Sequence, residues 1–103
     1  NFHHGHDHID RFANALKTMK PYLHCLNLNG MNAGAKPKIL PIGDGEFETQ
    51  MIKTLQASGY TGPIGILDHR SDTDTEIALQ ANINGMKKVL AKIGDQRALK
   101  TYE

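Results

Sequence analysis

The stretch from Pro41 to Ile66 constrains the fold more than any other part of this chain. It opens with a glycine-framed acidic turn, Pro41-Ile42-Gly43-Asp44-Gly45-Glu46-Phe47. A helical stripe of Phe47, Met51, Ile52 and Leu55 follows, and Gly59 stops it. Gly59-Tyr60-Thr61-Gly62-Pro63 then reads as a tight turn, and Ile64 to Asp68 as a short strand. In the Gly43-Asp44-Gly45 turn the glycines serve the backbone and Asp44 is expected to cap the helix. No lysine of a phosphate-binding loop accompanies it.

The flanks repeat the alternation. With Asp7 as N-cap, Ile9, Phe12, Ala13, Leu16 and Met19 recur on one face of a helix that Pro21 stops. Leu23 to Asn29 reads as a strand ending at Gly30, and a loop carrying Gly34, Pro37 and Pro41 runs to about Asp44. Thr73-Asp74-Thr75-Glu76 is a capping box that opens a third helix, with Leu79, Ile83, Met86, Leu90 and Ile93 as its stripe and Gly94 as its end. Residues Asp95 to Glu103 form a polar tail. This order predicts an α/β chain with parallel strands joined by helical crossovers.

Composition excludes several function classes. Twelve Lys and Arg face eleven Asp and Glu, a net charge of +1. That balance gives no electrostatic case for nucleic acid or an anionic membrane. A single cysteine, Cys25, rules out an internal disulfide and a multi-cysteine zinc site. It reads as a small core residue within the first strand. No apolar run approaches the roughly 20 residues of a membrane span. Compartment stays open.

The glycine-framed turn, the helix, the Gly59-Tyr60-Thr61-Gly62-Pro63 turn and the strand before a last helix resemble the end of a sugar phosphate isomerase/epimerase of the xylose isomerase-like TIM-barrel family. The resemblance spans nearly the whole chain. It implies the C-terminal portion of a (β/α)8 TIM barrel, its last two to three βα units, as one partial domain over residues 1–103. A complete barrel takes roughly 250 residues, so the resemblance also implies that the N-terminal part of the barrel lies outside this sequence. The implied chemistry is proton transfer next to the carbonyl of a sugar or sugar phosphate, beside a divalent metal such as manganese, zinc or magnesium.

Carried over residue by residue, the family's D-x-x-H falls on Asn1-Phe2-His3-His4, its H-x-N-D on Asn27-Leu28-Asn29-Gly30, and its last glutamate on Leu67. Only His4 is kept. Two amides and a hydrocarbon stand where the metal wants imidazole or carboxylate, so a tight divalent site is not expected. His4 and Asp68 are the remaining metal candidates, Asp68 only if the last strand is shifted by one residue. His4 and His69 are the candidate acid–base groups, and Asn1, Asn27 and Asn29 the candidate sugar contacts, since an amide offers two donors and an acceptor to vicinal hydroxyls. The other histidines of the cluster, His3, His6 and His8, read as solvated loop residues. Two further readings compete: a sugar-binding relative that lost its catalytic ligands, and an abasic-site endonuclease. The second lacks any ligand near Pro37-Lys38-Ile39, where that class would place Asp-x-His.

Overall fold

The computed structural model describes residues 1–68 and 70–103. Phe2 to Arg11 wind in 3-10 turns that break helical geometry at His8 and lead directly into α1, Phe12–Met19. The expected start at Asp7 is therefore displaced, and Asp7 does not cap. A short 3-10 turn at Lys20–Tyr22, containing Pro21, ends this segment. β1 is Leu26–Leu28, α2 Glu48–Ala57, β2 Ile64–Ile66, α3 Thr75–Ile93 and α4 Gln96–Lys100.

The strands pair in parallel, Leu26 against Ile64 and Leu28 against Ile66. This is the orientation that a helical crossover between neighbouring strands dictates. The family expectation goes further than the molecule does. Helical turns fill more than half of the chain, while each strand is only three residues long. Two such strands with one crossover cannot form the tilted, staggered ring of a barrel. The residues ahead of α1 add no further strand, since Phe2–Arg11 wind in 3-10 turns. The described residues thus form a helix-rich α/β unit around a two-stranded sheet, and not the last units of a TIM barrel.

The core lies on the Leu26/Leu28 face of the sheet. Leu16, Met51, Ile52, Leu55, Met86, Val89 and Leu90 pack with these leucines, and Phe2, Met31 and Ile42 join from the loops. Burial of these apolar side chains supplies most of the driving force, at about 25 cal/mol per Å². The α2 stripe is the expected one. The α3 stripe is so only in part: Met86 and Leu90 are buried and Ile93 packs on the core, but Leu79 is half exposed, and the buried face also takes in Ala78, Asn82, Gly85 and Val89. Small residues win there because α3 meets the 41–45 turn backbone to backbone. A Cβ on Gly85 would collide with the Ile42 carbonyl oxygen.

Both ends of α3 behave as the sequence predicts, with one substitution of roles. The Asp74 carboxylate, not the Thr73 hydroxyl, accepts from the Glu76 and Ile77 amides. Gly94, at positive φ, closes the C-terminus. The polar tail forms α4, capped by Asp95, and packs Ala98, Leu99 and Tyr102 on the core. The turn before β2 is tied by the Tyr60 hydroxyl, which donates to the Pro63 carbonyl at 2.8 Å.

Candidate functional site

Strand alternation puts Asn27 on the face of the sheet opposite Leu26 and Leu28. Its cross-strand partner is Gly65, and the Asn27 amide lies over it where a side chain at 65 would otherwise stand. Asn27 Nδ2 donates to Asn1 Oδ1 at 2.6 Å. Asn1 and His4 line a cavity of about 340 Å³ together with Phe12, Leu23, Cys25 and Met51. Asn1 therefore links the two others: its side chain bonds Asn27, and it shares a cavity with His4 beside an apolar wall. Cys25 belongs to that wall and is exposed, which corrects its expected place in the core. It lies one residue before Leu26 and so on the opposite side, where its Sγ donates to Asn27 Oδ1 at 3.8 Å.

The other candidates go elsewhere. Asn29 has left the strand and is fully buried. Its Nδ2 donates to the Gly30 carbonyl at 2.8 Å, and its buried Oδ1 has no hydrogen-bond partner among the described residues. Such an amide orders the chain behind β1 and does not face a ligand at the surface. His69 lies outside the described residues.

Asp68 stands at the C-terminal end of β2 and is held from three directions. Arg70 donates from Nε to Oδ1 (3.0 Å), from Nη2 to Oδ2 (2.7 Å) and from its backbone N–H to Oδ1 (3.1 Å), and Asn82 Nδ2 donates to Oδ2 (2.9 Å). The Arg70 side chain holds the Asp68 carboxyl below the ordinary carboxylate range. This outweighs the upward push of partial burial, and the Arg70 amide and Asn82 add to it. A carboxylate engaged by a guanidinium fork has its lone pairs taken and its charge neutralised. It does not fit the role of metal ligand, and His4 lies apart from it on the wall of the other cavity. Among the described residues, no three His, Cys, Asp or Glu side chains gather as a metal-binding group. The residues present do not fit the divalent ion that the resemblance implies.

Of the remaining histidines, His6 departs from its expectation. It is buried, with Nδ1 2.8 Å from the Asn32 carbonyl oxygen and Nε2 2.8 Å from that of Lys38. It fastens the first segment to the loop behind β1. His8 is exposed and accepts from Arg11 Nη2. His3 is half-buried, its ring stacked at a tilt on His4 with centroids 4.1 Å apart.

One fully buried, multiply bonded carboxylate was not among the candidates. Glu48 is fully buried at the first turn of α2. Its Oε1 accepts from the Gly43 and Gly45 amides at 2.8 and 2.7 Å, and its Oε2 from the Met31 amide at 3.0 Å. Asp44, expected to cap α2, does not: the helix starts after Phe47 with no side-chain cap, and Asp44 is exposed, its backbone N–H donating to the Pro41 carbonyl. Asn82, fully buried on α3, accepts from the Ile42 amide (2.9 Å) and donates to Asp68 and to the Ala78 carbonyl. The available signals were Glu48 sitting three residues after Gly45 and the small or polar residues 78, 82, 85 at helical spacing. A search for large aliphatics passes over both.

Comparison with family models, with curated proteins and with solved structures finds no match for this chain.

Proposed function

We propose that the chain recognises a sugar or sugar phosphate at the Asn1–Asn27 amide pair and acts on it as an isomerase or epimerase, with His4 as the acid–base group. The observation that carries this reading is the 2.6 Å amide–amide bond on the open face of the sheet, next to a cavity wall that includes His4. A hydrogen-bonded amide pair keeps further donor hydrogens and acceptor lone pairs for vicinal hydroxyls. Imidazole suits proton transfer near neutral pH. In the reaction, the His4 ring takes the proton from the carbon next to the carbonyl. The C–H electron pair becomes the C=C bond as the carbonyl π pair moves to its oxygen, and the amide N–H groups stabilise the enediolate. In isomerisation the hydroxyl proton passes to that oxygen as His4 returns its proton to the neighbouring carbon. In epimerisation the proton returns to the original carbon on its opposite face. No metal enters the step.

A second reading, sugar binding without turnover, is favoured by one observation. The described carboxylate at the strand ends, Asp68, is committed to Arg70 and Asn82 and is no base. One experiment separates the two. Aldose and ketose phosphates are incubated with the protein in D2O, and the carbon next to the carbonyl is followed by NMR. Deuterium incorporation that is lost in His4→Gln, with binding retained, is the expected outcome. Binding without incorporation selects the second reading, and neither binding nor incorporation sinks both.

A further inference from the structure

Three backbone N–H groups, those of Met31, Gly43 and Gly45, converge on one carboxylate that solvent does not reach. They come from two stretches of chain, one directly behind β1 and one before α2. Convergent backbone amides are an anion-binding device, and in a concave, desolvated place they are matched to a negative charge. We propose that this nest is a built carboxylate-binding site, that Glu48 is its tethered ligand, and that occupancy of the nest closes the 31–45 excursion against α3.

The geometry of closure follows from the bonds. Glu48 draws Gly43 and Gly45 toward Met31. That sets the Ile42 amide on Asn82 Oδ1 and the Ile42 carbonyl against Gly85. Asn82 passes the constraint on to Asp68 and hence to Arg70. Filling the nest therefore positions a side-chain network at the end of β2, though Glu48 touches none of it. The ligand class is a small carboxylate. Its charge matches the three donors, and two oxygens match their division into a pair at Oε1 and a single donor at Oε2. Removing Glu48 beyond Cβ leaves room for acetate, whose methyl and carboxyl groups replace the lost Cγ and carboxylate.

The test is chemical rescue of Glu48→Ala in the full chain, with acetate, formate, propionate and chloride as probes at equal ionic strength. Melting temperature and the side-chain amide signal of Asn82 are the readouts. Acetate is expected to raise the melting temperature of Glu48→Ala and restore the Asn82 signal, more than formate or propionate do, and to leave the wild-type protein unchanged. Glu48→Gln, whose amide fills the space and turns a donor toward a donor, is expected to be destabilised and unresponsive. Should Glu48→Ala be unfolded in chloride, acetate-dependent recovery of its helical signal replaces the melting shift. Equal effects of acetate and chloride, or no recovery with any carboxylate, would overturn the proposal.

Discussion

Between the 41–48 turn and α3, the buried polar side chains Glu48 and Asn82 are saturated with hydrogen bonds, whereas along the first eleven residues His4, Asp7, His8, Asp10 and Arg11 face solvent. The first region is silent in the sequence and buried in the molecule. The second is conspicuous in the sequence and largely at the surface. The difference is one of desolvation. Leaving a buried carboxylate or amide unpartnered costs free energy, so such groups are mostly woven into the backbone. An exposed imidazole has water as a partner and is free to meet a ligand. Chemistry-bearing residue types therefore mark architecture in one region and the candidate site in the other.

The comparison predicts a graded series of effects. The largest is expected at the contact that closes the first region. Gly85→Val drives a branched side chain into the Ile42 carbonyl and forces α3 off the turn. Its urea midpoint should fall by the equivalent of about 3 kcal/mol, the upper range for overpacking. A midpoint within about 0.5 kcal/mol of wild type, the usual surface scatter, would break the claim that backbone contact sets the α3 face.

Asn82→Leu comes next. It strips the Ile42 amide of its acceptor and Asp68 of a donor, for a loss of about 2 kcal/mol. Hydrogen exchange should show the Ile42 amide exposed while amides of α1 are unaffected. Asp68→Asn should cost less and in a pH-dependent way. Arg70 holds the folded-state Asp68 below its unfolded value. Its contribution is therefore present above the ordinary carboxylate range, near about pH 4, and is lost as pH falls through the lower folded-state value. Wild type and Asp68→Asn should differ in urea midpoint at about pH 7, and the gap should narrow as pH falls below the ordinary carboxylate range; a constant gap would contradict the ion pair as the cause. At the small end, His8→Ala should change stability by less than about 0.5 kcal/mol, since its contact with Arg11 is solvent-exposed.

Period and punctuation made the elements legible, and burial made the exceptions. The α2 stripe of Met51, Ile52 and Leu55, the stop at Gly94 and the parallel pairing of the two strands could all be read from residue spacing. The barrel could not be supported, because a resemblance in motif order says nothing about how many strands close a sheet. The chain commits only three residues to each. Leu79 was expected inside by its size, yet helix–turn approach selected Ala78, Asn82 and Gly85. Of the candidate site, Asn27 was proposed from alternation, and Asn1 and His4 from the resemblance. Asn29 failed because β1 ends at Leu28 and alternation no longer holds beyond it. Gly65 was passed over, although its missing side chain is what lets the Asn27 amide lie across the sheet.

The central claim is that ligand recognition belongs to Asn1, His4 and Asn27, and that the Glu48–Asn82–Asp68 network is architectural. Side-chain NMR of the protein titrated with a panel of sugars and sugar phosphates tests it most directly. The account predicts saturable shifts of the Asn1 and Asn27 amides and the His4 ring, abolished in Asn27→Leu, with the Asn82 amide unmoved. Shifts confined to Asn82 and Arg70, or none with any sugar, would contradict it.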